Sequence, residues 1–221
     1  MQDEMSTPIQ ESEGLEIVCI GSFNPKIFHP AWFRNFEIIT EADMQESTVR
    51  MVSSDVADIE MKGIRIQCLK ERFTAGTADP TRYEMMQDWV LLIFSMLPHI
   101  PLTMLGINSL VHYRLIDDVD RWHRIGHRLA PKDVWEQMFM KPGLLSLTTQ
   151  CERTDGFEGN IHVTVEPSVQ FRPGLFVKTN HHFQPSKQQD IATFAKFLEA
   201  AWKTGRDEAK RVASKIFEQI K

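Results

Sequence analysis

Apolar positions along the chain recur with two periods, and the switches between them mark out strands and helices. Leu15-Glu16-Ile17-Val18-Cys19-Ile20 is an apolar run of β-formers ending at Gly21, which predicts a strand buried on both faces. Met1 to Glu13 is polar and acidic with little to bury, so residues 1–14 are expected to form a flexible N-terminal arm. Asn24-Pro25 and His29-Pro30 turn the chain. Pro30 then opens a short helix through Ala31-Trp32-Phe33, since a first helical position loses nothing by lacking an N–H. From Thr48 to Thr77 the pattern is one of antiparallel strands, with Ile64, Ile66 and Cys68 alternating against Arg65 and Gln67. Asp79-Pro80 predicts a helix start, and Tyr83, Met86, Trp89 or Val90, Ile93 and Leu97 follow at helical spacing until Pro98 stops the run.

The second part of the chain repeats these signals. Leu105, Ile107, Ser109, Val111, Tyr113 and Leu115 alternate against Asn108, His112 and Arg114, which predicts a strand. Asp118 to Phe139 has helical spacing at Trp122, Ile125, Leu129, Val134, Trp135 and Met138, broken at Ala130-Pro131. Strands are expected over 144–152, 161–166 and 174–183, separated by Asp155-Gly156 and Arg172-Pro173 as in a meander. Ser186 to Gln189 fits a capping box ahead of a long helix whose buried stripe is Ile191, Phe194, Leu198, Ala201, Val212, Ile216 and Ile220, with Gly205 as a candidate kink. Strand, short helix, strands, helix thus occurs twice, in pseudo-repeat halves of about 15–100 and 101–221 within a single α+β domain spanning 15–221. Ile20-Gly21-Ser22-Phe23 and Leu105-Gly106-Ile107-Asn108 occupy equivalent places. Two such halves would pair edge strands into one antiparallel sheet with both long helices on one face. TATA-binding-protein-like saddles and helix-grip folds share this order in outline, a likeness of shape that does not fix function.

Composition narrows the class. In 221 residues, 42% are apolar and 25% charged, which excludes wholesale disorder and fibrous repeats. A net charge of -5 argues against a basic surface for non-specific nucleic-acid binding. Cys19, Cys68 and Cys151 are odd in number and lack a CxxC spacing, so neither a disulfide framework nor a zinc ribbon is indicated. The opening residues do not resemble a secretory signal, and the longest apolar stretch, 89–102, is broken by Ser, Pro and His and too short for a bilayer. A soluble, cytoplasmic protein without a membrane partner is expected.

The chain carries no phosphate-cradling GxxxxGK[ST], no GxGxxG after a strand, no GxSxG and no HExxH, so no cofactor and no catalytic residue is expected. Histidines are the richest feature. His123 and His127 share a helix face, with Asp118 and Asp120 upstream, a set that could hold a divalent metal. Arg121, Arg124 and Arg128 pairing with those acids at a helix N-terminus is the plainer account. His181 and His182 point to opposite sides of a strand. Arg65, His112, Arg114, His162, Glu166, Lys178, Asn180 and His182 all fall on the polar phase of their strands. They would converge on one binding surface for a partner or an anionic small molecule, or else form the solvated face that antiparallel sheets commonly have. Phe28, Trp32 and Phe33 could cap an interface, or pack as a loop on the sheet.

Ile20-Gly21-Ser22-Phe23-Asn24-Pro25 through Pro30-Ala31-Trp32-Phe33 resembles the start of a set of bacterial proteins of unknown function. So do Met104 to Asn108, Trp122 to His127 with Leu129-Ala130-Pro131-Lys132, and Val165-Glu166-Pro167-Ser168. The resemblance implies a bacterial origin and a single unit of conserved length, and carries no catalytic residue across. The expected function is therefore a non-enzymatic interaction protein or complex subunit, with a protein partner or self-association through the polar sheet face or a sheet edge. A metal-dependent or small-molecule-binding enzyme at His123 and His127 is the alternative. A nucleic-acid-binding saddle is a third reading, disfavoured by the acidic balance.

Overall fold

The computed structural model describes residues 8–116, 118–184 and 191–218. In chain order it comprises β1 (Ile9–Ile20), a 3-10 turn at Pro25–Ile27, α1 (Pro30–Asn35) and α2 (Glu41–Gln45). Strands β2 (Thr48–Val52), β3 (Val56–Met61), β4 (Ile64–Leu69) and β5 (Arg72–Thr77) lead through a 3-10 turn at Pro80–Arg82 into α3 (Tyr83–Met96). Then follow β6 (Met104–Arg114), α4 (Val119–Leu129), α5 (Asp133–Glu136), β7 (Leu147–Glu152), β8 (Gly159–Pro167), β9 (Gly174–Phe183) and α6 (Ile191–Glu218). Local chemistry sets the starts. The Asp79 carboxylate accepts from the Thr81 N–H ahead of Pro80, His29 Nδ1 accepts from Ala31 ahead of Pro30, and Thr40 and Asp43 close a reciprocal capping box.

The strands form one nine-stranded sheet in the order β2-β3-β4-β5-β1-β6-β9-β8-β7. Every neighbouring pair is antiparallel, which makes the chain an α+β protein. Cys19 lies opposite both Phe73 and Leu105, and Leu105 opposite Phe183, so these side chains share a face. Phe94 of α3 meets Phe73 edge-on at 5.2 Å and Phe194 of α6 at 5.3 Å, and Phe197 of α6 stacks on Phe183. A second cluster under the C-terminal part of α6 joins Tyr113, Ile125, Leu175, Val177 and Phe217.

Four expectations are corrected. Residues 9–14, assigned to the flexible arm 1–14, belong to β1: Ile9 already pairs with Arg114 and Gly14 with Leu110. The long β6 supplies a hydrogen-bonded ladder to a segment with few apolar side chains, and backbone pairing needs none. β1 is not buried on both faces, since Leu15, Ile17 and Cys19 are buried while Glu16, Val18 and Ile20 are half-buried. The helix expected to run to Phe139 ends at Glu136, and Val134, Trp135, Met138 and Phe139 are exposed, with no buried stripe to hold a longer helix. Phe28 and Phe33 are fully buried and cannot form an interface; Trp32 packs on both and on Phe36. The Ser186 to Gln189 capping box and Ile220 lie outside the described residues.

Candidate functional site

Strand register decides which of the polar residues meet. One row across the sheet runs Arg65, Gly76, Glu16, Asn108, Asn180, His162 and Gln150. His182 lies opposite Gly106 and Asn160, Lys178 opposite Leu110 and Thr164, and Phe176 opposite His112 and Glu166. All the residues expected on the polar surface therefore share one face. They do not form one patch. His112, Arg114, His162, Glu166, Lys178, Asn180 and His182 sit on the adjoining β6, β9 and β8, whereas Arg65 on β4 is five strand spacings from His162, roughly 24 Å. Arg65 instead lines a hollow of about 300 Å³ with Glu16, Gln67, Thr74, Gly76 and Leu110.

Most charges on this face are already matched. Arg65 grips Asp58 through two hydrogen bonds of 2.9 and 2.6 Å, and this contact holds the Asp58 carboxyl below its ordinary value. Arg114 pairs with Glu11. The Glu166 carboxylate accepts from the Ser146 hydroxyl at 2.9 Å, and the His162 ring, 3.2 Å from the Gln150 amide oxygen, stacks on His182 at 5.9 Å. At the centre Asn108 is only 4% exposed. Its amide donates to Glu16 at 3.3 Å, while its own oxygen and that of Asn180 are buried with no donor among the described residues.

The opposite face of β9 holds a group that pattern reading left out. His181 is buried between β9 and α6, with Nε2 3.1 Å from a Glu208 carboxylate oxygen and its ring against Gly205. Nearby, the buried Arg153 side chain lies over the Phe183 ring at 3.8 Å and pairs with Asp155. The alternation that places Leu175, Val177 and Phe183 inside also places His181 there, which was the available signal. Burial pushes the His181 pKa down, Arg153 adds to the shift, and Glu208 opposes it. Burial also lowers His112, whose Nδ1 is 2.9 Å from the Ser168 hydroxyl. Both imidazoles therefore take up a proton in the unfolded chain, near pH 6.5, before they do so in the folded protein. Stability is complete above that pH and falls as the pH drops from about 6.5 towards the folded values. The melting temperature should be lower at pH 5.5 than at pH 7.5, with a shallower slope in His181→Gln; a flat profile across that range contradicts the assignment.

α4 is fixed from both sides. Arg121 is buried, with its guanidinium 6.0 Å from the centre of the Phe217 ring, and Trp122 donates its indole N–H to the Gly174 carbonyl at 2.9 Å. His123 and His127 are exposed, and the Asp118 carboxylate caps the helix by accepting from the Arg121 N–H. Among the described residues no three His, Cys, Asp or Glu side chains gather as a metal site, so His123, His127, Asp118 and Asp120 are not assembled into one. Between α4 and β7, Val134, Trp135, Met138, Phe139, Met140 and Leu145 are each more than half exposed. The segment leads in the chain into β7, an edge strand of the sheet with little to guard it. β2, the other edge, has a bulge and carries Arg50, whereas β7 pairs regularly with β8 and is charged only at Glu152. No helix among the described residues is long and apolar enough to cross a membrane. No family model matches the chain, and no curated protein matches it.

Proposed function

We propose that the chain is a non-enzymatic interaction subunit of a bacterial cytosolic system, and that it self-associates through the β7 edge and the apolar segment at 134–145. The exposed side chains of that segment carry the reading. They leave roughly 800 Å² of apolar surface uncovered, at about 200 Å² per large side chain, which is the share one partner contributes to a standard interface. Patches of this size on a monomer mark interaction sites. Charge balance favours a second copy as the occupant. The chain carries -5 overall, yet Lys132 and Lys141 offset Asp133 and Glu136 here, so an isologous contact meets little repulsion. An unguarded β7 can add the matching strand of a second copy antiparallel to itself.

In this reading the fold is a duplicated unit. The β1–β6 pairing is its centre, with β5, β4 and β3 on one side answered by β9, β8 and β7 on the other, and α3 and α6 covering the same face. The open polar face of β6, β9 and β8, with His112, His162, Lys178 and His182, is then a second contact surface. A nucleic-acid saddle finds less support, because Arg65 and Arg114 are already engaged by carboxylates. Size-exclusion chromatography with light scattering at micromolar concentration should give twice the chain mass; a monomer at all accessible concentrations refutes the proposal.

A further inference from the structure

A cavity of about 380 Å³ lies between α4, the segment that follows α5, and the adjoining ends of β8 and β9, within the size range of small-molecule sites. Its body is apolar. Trp122 commits its indole N–H to the Gly174 carbonyl and so offers only ring surface, and Leu144, Leu175 and Pro167 complete the lining. Lys132, Lys141 and His123 also line it, with Glu136 as the one carboxylate among the lining residues. The ion pairs among the described residues include neither lysine, and the lining sets these two lysines against the single carboxylate of Glu136. Lys141 is moreover held at a φ of 51°, in the left-handed region that a side chain adopts at a cost, and such strain is concentrated at ligand clamps. Gly126 keeps the α4 wall low: a Cβ there would stand 3.8 Å from the Leu144 side chain, and anything longer would enter the space.

The geometry points to a binding site for a small aromatic anion, its ring against Trp122 and Leu175 and its carboxylate or sulfonate between Lys132 and Lys141. This goes beyond association between copies, and the two are separable by experiment. The probe is 1-naphthoate, followed by isothermal titration and by quenching of tryptophan emission. Naphthoate should bind the full-length protein. Naphthalene-1-carboxamide, of the same shape without the charge, should bind at least tenfold more weakly. Lys132→Glu/Lys141→Glu should lose tenfold or more for naphthoate with little change for the carboxamide. Gly126→Leu, which fills the cavity and raises helix propensity, should abolish binding of both while leaving the melting temperature unchanged or higher. Trp135→Asp/Phe139→Asp, which attacks the dimer surface, should leave naphthoate affinity intact. Absence of naphthoate binding, equal affinity for the two probes, or undiminished affinity in Gly126→Leu overturns the assignment whether or not the protein dimerises.

Discussion

Phe94→Ala is expected to lower the free energy of unfolding by about 3–5 kcal/mol, the range for deleting a fully buried aromatic ring. Phe94 is completely buried and lies at the junction of several elements. Its ring meets Phe73 of β5 at 5.2 Å and Phe194 of α6 at 5.3 Å, both edge-on, and Phe23 at 6.2 Å. These geometries each add to the transfer term, because ring edges and faces carry opposite partial charge. Collapse into the void is resisted on all sides: Phe73 is itself held by Phe28 at 5.5 Å, and Phe23 also leans on Phe73. The same ring links α3 to α6, so its loss should loosen the covering layer as well as the core. Urea denaturation followed by tryptophan fluorescence provides the check. A loss below about 1 kcal/mol, against the 3–5 expected for a rigid site, would mean that this junction repacks freely.

The sheet was legible in the sequence where one face is dry and the other wet. Ile64, Ile66 and Cys68 are buried and Arg65 is exposed, as the alternation requires; β9 follows the same rule, whereas β6 follows it only from Ser109 to Arg114 and is buried on both faces at Leu105 to Ser109. Turn chemistry worked for a related reason: a proline at a first helical position and an Asp that caps it act locally, as Asp79-Pro80 shows. What escaped depended on partners far along the chain. The polar half of β1 is a strand because β6 is long enough to pair with it, and no property of Gln10 or Ser12 announces that neighbour. Phe28 and Phe33 fitted an interface cap and a loop packed on the sheet equally well, because so short a segment carries no periodicity; they are core residues, with Phe28 against both Phe33 and Phe73. The polar phase placed His182 and His162 together correctly, but register alone shows that Arg65 stands strands away from them. From Val134 to Phe139 the spacing suggested a continued helix, whereas the apolar side chains there face outward. Periodicity reports that a face is apolar, not what covers it.

That uncovered stripe leads to the second large effect. Trp135→Asp/Phe139→Asp should weaken self-association by at least a hundredfold while leaving the fold intact. Trp135 is 51% and Phe139 63% exposed in the single chain, so neither ring contributes much to folding. In a two-fold contact each substitution acts twice, once from each copy. A large apolar side chain buried on association contributes about 1.5–3 kcal/mol, and about 1.4 kcal/mol is a factor of ten in affinity. Losing two such side chains per copy already exceeds the hundredfold mark before four added carboxylates are counted. Val169→Asp is the control: it removes a still more exposed apolar side chain, 92% open, outside the 134–145 segment, and isolated exposed apolar residues need no partner. Sedimentation velocity across a concentration series should show the double variant as monomer, and Val169→Asp should follow the parent isotherm. If both variants dimerise like the parent, the contact lies elsewhere on the molecule. If both dissociate, added negative charge alone is responsible, since a chain at -5 grows more self-repelling with each carboxylate. Only selective loss at 135 and 139 assigns the interface to the exposed rings of Trp135 and Phe139.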